Sequence, residues 1–65
     1  MQIVVNGESR NIETGTVRQF LESLAIDPAR VAVELNQEIL PKGEYASTLL
    51  QDGDRIEIVH FVGGG

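Results

Sequence analysis

The sequence closes on Phe61-Val62-Gly63-Gly64-Gly65, so its last reactive group is the Gly65 carboxylate behind two more glycines. A terminal carboxyl titrates near pKa ~3.5, so at neutral pH it is an anion and a poor electrophile. It becomes reactive only as a mixed anhydride, most simply an acyl adenylate made from ATP. No Gly-Lys-Ser or Gly-Lys-Thr phosphate loop is present, so that activation falls to a partner enzyme. Glycine has no Cβ and accepts either sign of φ, which lets a backbone thread a narrow channel. Residues 1–62 therefore read as a folded domain and residues 63–65 as a flexible tail. Gly63 and Gly64 would lie in a partner's channel, with Gly65 at the reacting position. A plain linker would show the same glycines, so the rest of the chain has to decide.

Other chemistry is sparse. There is no cysteine, hence no thiolate, disulfide or persulfide. His60 is the one histidine, too few for a metal site or a nucleophile–base pair. Asp52 and Asp54 flank Gly53, and turn aspartates commonly bond their own backbone. Ser23 has the Glu-Ser-Leu setting of a carrier serine, but those carriers are all-helical and this chain reads as mostly strand. Ten acidic residues against five basic ones, net −5, argue against nucleic acid as a partner, because phosphate binding needs clustered Lys and Arg. The surplus acid aids solubility and suits a basic protein partner. No apolar run approaches the ~20 residues that span a bilayer, and Met1-Gln2-Ile3 does not open a signal peptide. The expectation is a soluble cytoplasmic protein with no membrane partner.

The elements that must position the tail follow from periodicity. Gln2–Val5 is a short apolar strand, and Asn6-Gly7 is a strong hairpin signal. Glu8–Glu13 should pair back on it, with Ile12 as its core candidate. Thr16-x-x-Gln19 reads as a capping box, and Val17, Phe20, Leu21 and Leu24 make one apolar helical stripe that should end by Asp27-Pro28. Val31–Leu35 alternates as a strand, with Val31, Val33 and Leu35 inward. Asn36-Gln37 turns the chain into Glu38–Leu40, an edge strand before Pro41. Lys42–Gln51 is less regular, with a helical turn over Tyr45–Leu49 and Leu49 or Leu50 tucked in. Asp52-Gly53-Asp54 launches a last strand over Arg55–Val62. The expected core is Ile3, Val5, Val17, Leu21, Leu24, Val33, Ile56 and Ile58.

A hairpin, one crossing helix and a returning strand resemble the β-grasp fold of ubiquitin-like proteins, an α+β class with a mixed four- to five-stranded sheet. The resemblance implies parallel first and last strands at the sheet centre. It also places Val4, Val59 and Phe61 on the face away from the helix, as an apolar patch beside the tail. The expected partner-docking residues are these three with Val62. The segments Val33–Lys42, Leu50–Val59 and Val62–Gly65 are similar to the ThiS family of thiamine-biosynthesis sulfur carriers. That resemblance implies a carrier rather than an enzyme, with no cofactor or metal of its own. Its Gly65 would be adenylylated by a ubiquitin-activating-like (ThiF-like) adenylyltransferase using ATP. A sulfur donor such as a cysteine desulfurase would convert it to a thiocarboxylate, and thiazole synthase (ThiG-like) would receive the sulfur. The small subunit of molybdopterin synthase shares the fold and tail, although Phe61-Val62 and the absence of proline after Pro41 favour the thiazole branch. Ubiquitin-type modifiers use the same activation. A β-grasp interaction module with an inert tail is a reading from another class.

Overall fold

The apolar faces of the alternating strands and the apolar stripe of the helix must be buried together, and a sheet with one helix across it does so. The computed structural model describes residues 1–13 and 15–61. Strands β1 (Gln2–Val5) and β2 (Glu8–Asn11) pair antiparallel across Asn6-Gly7. Both turn residues have positive φ, 48° and 83°, as a type I′ hairpin requires. β2 stops two residues short of the expected Glu13. Its last main-chain bonds join Ile12 to Met1, and Ile12 packs half-buried against the core.

Thr16 caps helix α1 (Val17–Ser23): its hydroxyl accepts from the Gln19 N–H at 3.1 Å, and Gln19 Oε1 accepts from the Thr16 N–H at 2.9 Å. The two bonds satisfy donors that a helix start leaves open. The helix ends earlier than Asp27-Pro28. Ala25 takes a left-handed φ of 58°, its N–H bonds the Glu22 carbonyl, and the Ile26 N–H reaches back to Leu21. This is a Schellman closure built on alanine instead of glycine, with Ile26 half-buried over the helix end. Leu24 therefore lies at the cap and is half-buried, not fully in the core as expected. Asp27-Pro28 instead opens a short 3₁₀ turn, Pro28–Arg30, capped by the Asp27 carboxylate on the Ala29 N–H.

Strands β3 (Val31–Leu35) and β4 (Glu38–Leu40) form a second hairpin through Asn36 and Gln37, again both at positive φ. A 3₁₀ turn at Lys42–Glu44 precedes the expected Tyr45–Leu49 position. Tyr45 is buried below it, a core residue that the sequence pattern did not suggest. Its hydroxyl donates to the Val31 carbonyl at 3.3 Å. Burial pushes that hydroxyl above its ordinary pKa, and a backbone hydrogen bond at Val33 partly offsets the rise. Leu50 is buried and Leu49 exposed.

Strand β5 (Arg55–His60) enters between β1 and β3, giving the order β2-β1-β5-β3-β4. It runs parallel to β1 and antiparallel to β3. Its expected last residue, Val62, lies outside the described residues, as do Gly63, Gly64 and Gly65. One helix packs on one face of a five-stranded mixed sheet whose first and last strands are central and parallel, which is the β-grasp arrangement. The core is Ile3 and Val5 from β1, Val17, Phe20 and Leu21 from α1, Val31 and Val33 from β3, Ile56 and Ile58 from β5, and Tyr45 and Leu50.

Candidate functional site at the end of strand β5

β1 stops at Val5, but β5 runs on, so its outgoing end needs another partner. Asn6 supplies it. The Asn6 N–H bonds the Ile56 carbonyl at 3.0 Å. Its side-chain amide then accepts from the Ile58 N–H at 2.7 Å and donates to the Ile58 carbonyl at 3.3 Å. One side chain thus extends the ladder after the main chain has turned away, and its left-handed φ is what asparagine tolerates. On the other edge, β3 pairs with β5 as far as Val31 opposite His60. One more bond follows, from the Phe61 N–H to the Arg30 carbonyl at 3.0 Å. The Lys42 ammonium lies 4.8 Å from the centre of the Phe61 ring and donates to the Ala29 carbonyl at 2.8 Å. Phe61 is thus the last described residue, and four residues follow it. Fully extended, they could carry the Gly65 carboxylate about 14 Å from Phe61.

The sheet face away from α1 carries the expected docking residues, but not as one patch. Val59 and Phe61 are more than half exposed beside the strand end. Val4 shares that face and is half-buried, yet it stands opposite Arg55, four residues before Val59. That is a separation of about 13 Å along the strand. Val62 lies outside the described residues. The register adds two residues that periodicity alone did not select. Ala32 pairs with Val59, and Ile39 pairs with Glu34 at the β4 edge, 79% exposed. Glu34 also faces Glu57 directly across β3 and β5. Like charges so placed cost stability, and they give this apolar face an acidic centre. Alternation within β4 could have pointed to Ile39; only strand register places it on the face that carries Val59, in line with Glu34 and Glu57.

The remaining candidates have structural duties. Asp52 accepts from the Gln2 N–H, and Asp54 accepts from the Gln51 N–H and the Asn36 amide, so both brace the turn that starts β5. The Ser23 hydroxyl turns back onto the Phe20 carbonyl at 2.6 Å. His60 is an exposed strand-end residue. Among the described residues no group of three or more His, Cys, Asp or Glu comes together to hold a metal, and no helix is long and apolar enough to cross a membrane. A groove of about 620 Å³ lies between the end of β2 and α1 and is floored by Ile12, Phe20, Leu24 and Leu50. Ile12 bonds Met1 at the start of β1, and β5 runs parallel to β1. The groove is therefore at the opposite end of the sheet from Phe61.

The fold, a five-stranded mixed sheet crossed by one helix with its last strand central, defines a chain of the β-grasp class. The model of the ThiS family matches residues 3–65, and the chain belongs to that family. It is 49% identical over 53 residues to the sulfur carrier protein ThiS of Bacillus subtilis, covering 82% of this chain and 80% of that protein. It is 50% identical over 66 residues to a thiazole synthase of Paramagnetospirillum magneticum, covering all of this chain but only 20% of that protein. The chain thus spans about a fifth of the length of that relative. The crystal structure of the thiamine biosynthesis protein ThiS from Geobacter metallireducens superposes with a TM-score of 0.85 at 35% identity, over the whole of both chains.

Proposed function

We propose that this chain carries sulfur as a thiocarboxylate on a terminal Gly65 and delivers it to the thiazole-forming step of thiamine biosynthesis in the cytoplasm. The observation that carries the reading is the end of β5. The strand is bonded on both edges up to Ile58 and on one edge to Phe61, beside an exposed apolar face and four residues before Gly65.

In the first step a carboxylate oxygen of Gly65 attacks the α-phosphorus of ATP, giving the acyl adenylate and releasing pyrophosphate. The outer sulfur of a persulfide donor then attacks the acyl carbon and AMP leaves, giving an acyl disulfide. A second thiol of the donor cleaves its S–S bond, which releases the Gly65 thiocarboxylate and leaves a disulfide on the donor. The chain's part is to present the terminus: it has no cysteine to hold sulfur otherwise. An adenylylating partner docks on the Val59 and Phe61 region, with Val4 further along the same face, and takes Gly63 to Gly65 into its channel. Ordering three glycines costs about 1–2 kcal/mol each, so the folded face has to supply most of the affinity. A thiazole synthase is the acceptor this reading names, in keeping with a relative of that name whose sequence includes a stretch matching this whole chain.

The test is the intact mass of the protein purified from its own cells. A species that ends at Gly65 with one oxygen replaced by sulfur is the expected result. Only the plain carboxylate, in cells starved of thiamine, would argue against the carrier.

A further inference from the structure

We infer that Lys42 is a positioning residue for the tail: its ammonium holds Phe61 against the Pro28–Arg30 turn and so sets the point from which the last four residues leave the sheet. The reading rests on the proposed carrier role and adds to it a residue that recognition of the terminus requires.

Three contacts converge on one place. Phe61 donates its N–H to the Arg30 carbonyl at 3.0 Å, Lys42 donates to the neighbouring Ala29 carbonyl at 2.8 Å, and the same ammonium sits 4.8 Å from the Phe61 ring centre. The turn therefore receives one bond from the strand end and one from the lysine that covers the strand end. Packing alone does not hold the ring, since Phe61 is 58% exposed. Nor is Lys42 occupied elsewhere: among the described residues the ion pairs are Arg18–Glu22 and Arg30–Asp27. A cation over a ring face is attracted by the ring quadrupole, and a carbonyl that receives the same cation fixes its position. Asn6 restrains the strand from its other edge, but only as far as Ile58. Beyond that, the Lys42 ammonium over the ring restrains Phe61.

The consequence is one of population. Four extended residues reach about 14 Å, and a swing at Phe61 moves the whole of that reach. A partner that must take both the sheet face and the tail binds only the fraction of molecules with Phe61 in place. Apparent affinity falls in proportion to that fraction.

Lys42→Met keeps the stem and removes the charge and donors, while Lys42→Arg keeps both. In the free protein, backbone order at Phe61 measured by NMR should fall in K42M and hold in K42R. Equal order in K42M and wild type would overturn the inference. With the cognate adenylylating enzyme, K42M should raise the dissociation constant about two- to fivefold, the size of an exposed cation–π contact. K42R should restore it, and kcat for ATP–pyrophosphate exchange should not change. An unchanged dissociation constant, or a fall in kcat alone, would also overturn it. The NMR measurement needs no partner. If wild-type protein supports no exchange, the carrier role fails while the role of Lys42 is still decided.

Discussion

Ile58 and Val59 are neighbours on β5 with nearly the same chemistry and opposite fates. Ile58 faces α1 and is 6% exposed; Val59 faces away and is 57% exposed. Folding explains the first, because a β-branched side chain under a helix removes apolar surface from water. It does not explain the second. An exposed valine, flanked by Phe61 and Ala32 and by an unfavourable Glu34–Glu57 pair, adds little to stability. The two positions separate what holds the sheet together from what the sheet presents.

The sharpest way to break that contrast is to truncate both sides of it. Ile58→Ala should cost about 2–5 kcal/mol in urea denaturation, the range for a buried aliphatic. Val59→Ala should stay within about 0.5 kcal/mol, as surface changes do. Equal losses would mean that both faces are core. Val59→Asp then refines it: stability should shift by no more than about 1 kcal/mol, the span of strand propensity. Binding to the adenylylating partner should weaken about tenfold, the size of an interface anchor. Unchanged binding would move the docking surface elsewhere.

A smaller effect probes how dry the inner face is. Burial raises the Tyr45 pKa above its ordinary value of 10.0, so the folded state favours the protonated hydroxyl. The contribution is whole below pH ~10 and is lost as pH rises from there through the folded-state value. Stability of the wild type should decline over that window, and Tyr45→Phe should decline less. Identical slopes would show that the hydroxyl ionises as freely in the fold as out of it.

Much of this was legible in the sequence because local and global preferences agree. Asn6-Gly7, the Thr16–Gln19 box and the alternation of β3 and β5 each specify their element without help from distant contacts. The helix end was not legible, because Ala25 does the work usually done by glycine and its left-handed φ is held by bonds to Leu21 and Glu22. Tyr45 was missed because it lies in an irregular stretch whose burial comes from the tertiary fold. At the site, period two gave the inward side of Ile56 and Ile58, and the resemblance to the β-grasp fold gave the outward side of Val59 and Phe61. The separation of Val4 from them, and the addition of Ile39, came from strand register, which single-strand patterns do not contain. Asn6 and Lys42 were out of reach for the same reason: their partners are Ile58, Phe61 and Ala29, all distant in sequence.

The presented-terminus reading is tested most directly by ATP–pyrophosphate exchange with the cognate adenylylating enzyme, using chains that end at Gly65, one residue beyond it, or at Gly64. All three should fold alike. Only the chain ending at Gly65 should support exchange, since one extended residue is about 3.3 Å and a 1 Å misplacement can cost on the order of a hundredfold in rate. Equal exchange by all three, or none by the intact chain with a verified cognate enzyme, would contradict a catalytic role for the Gly65 carboxylate.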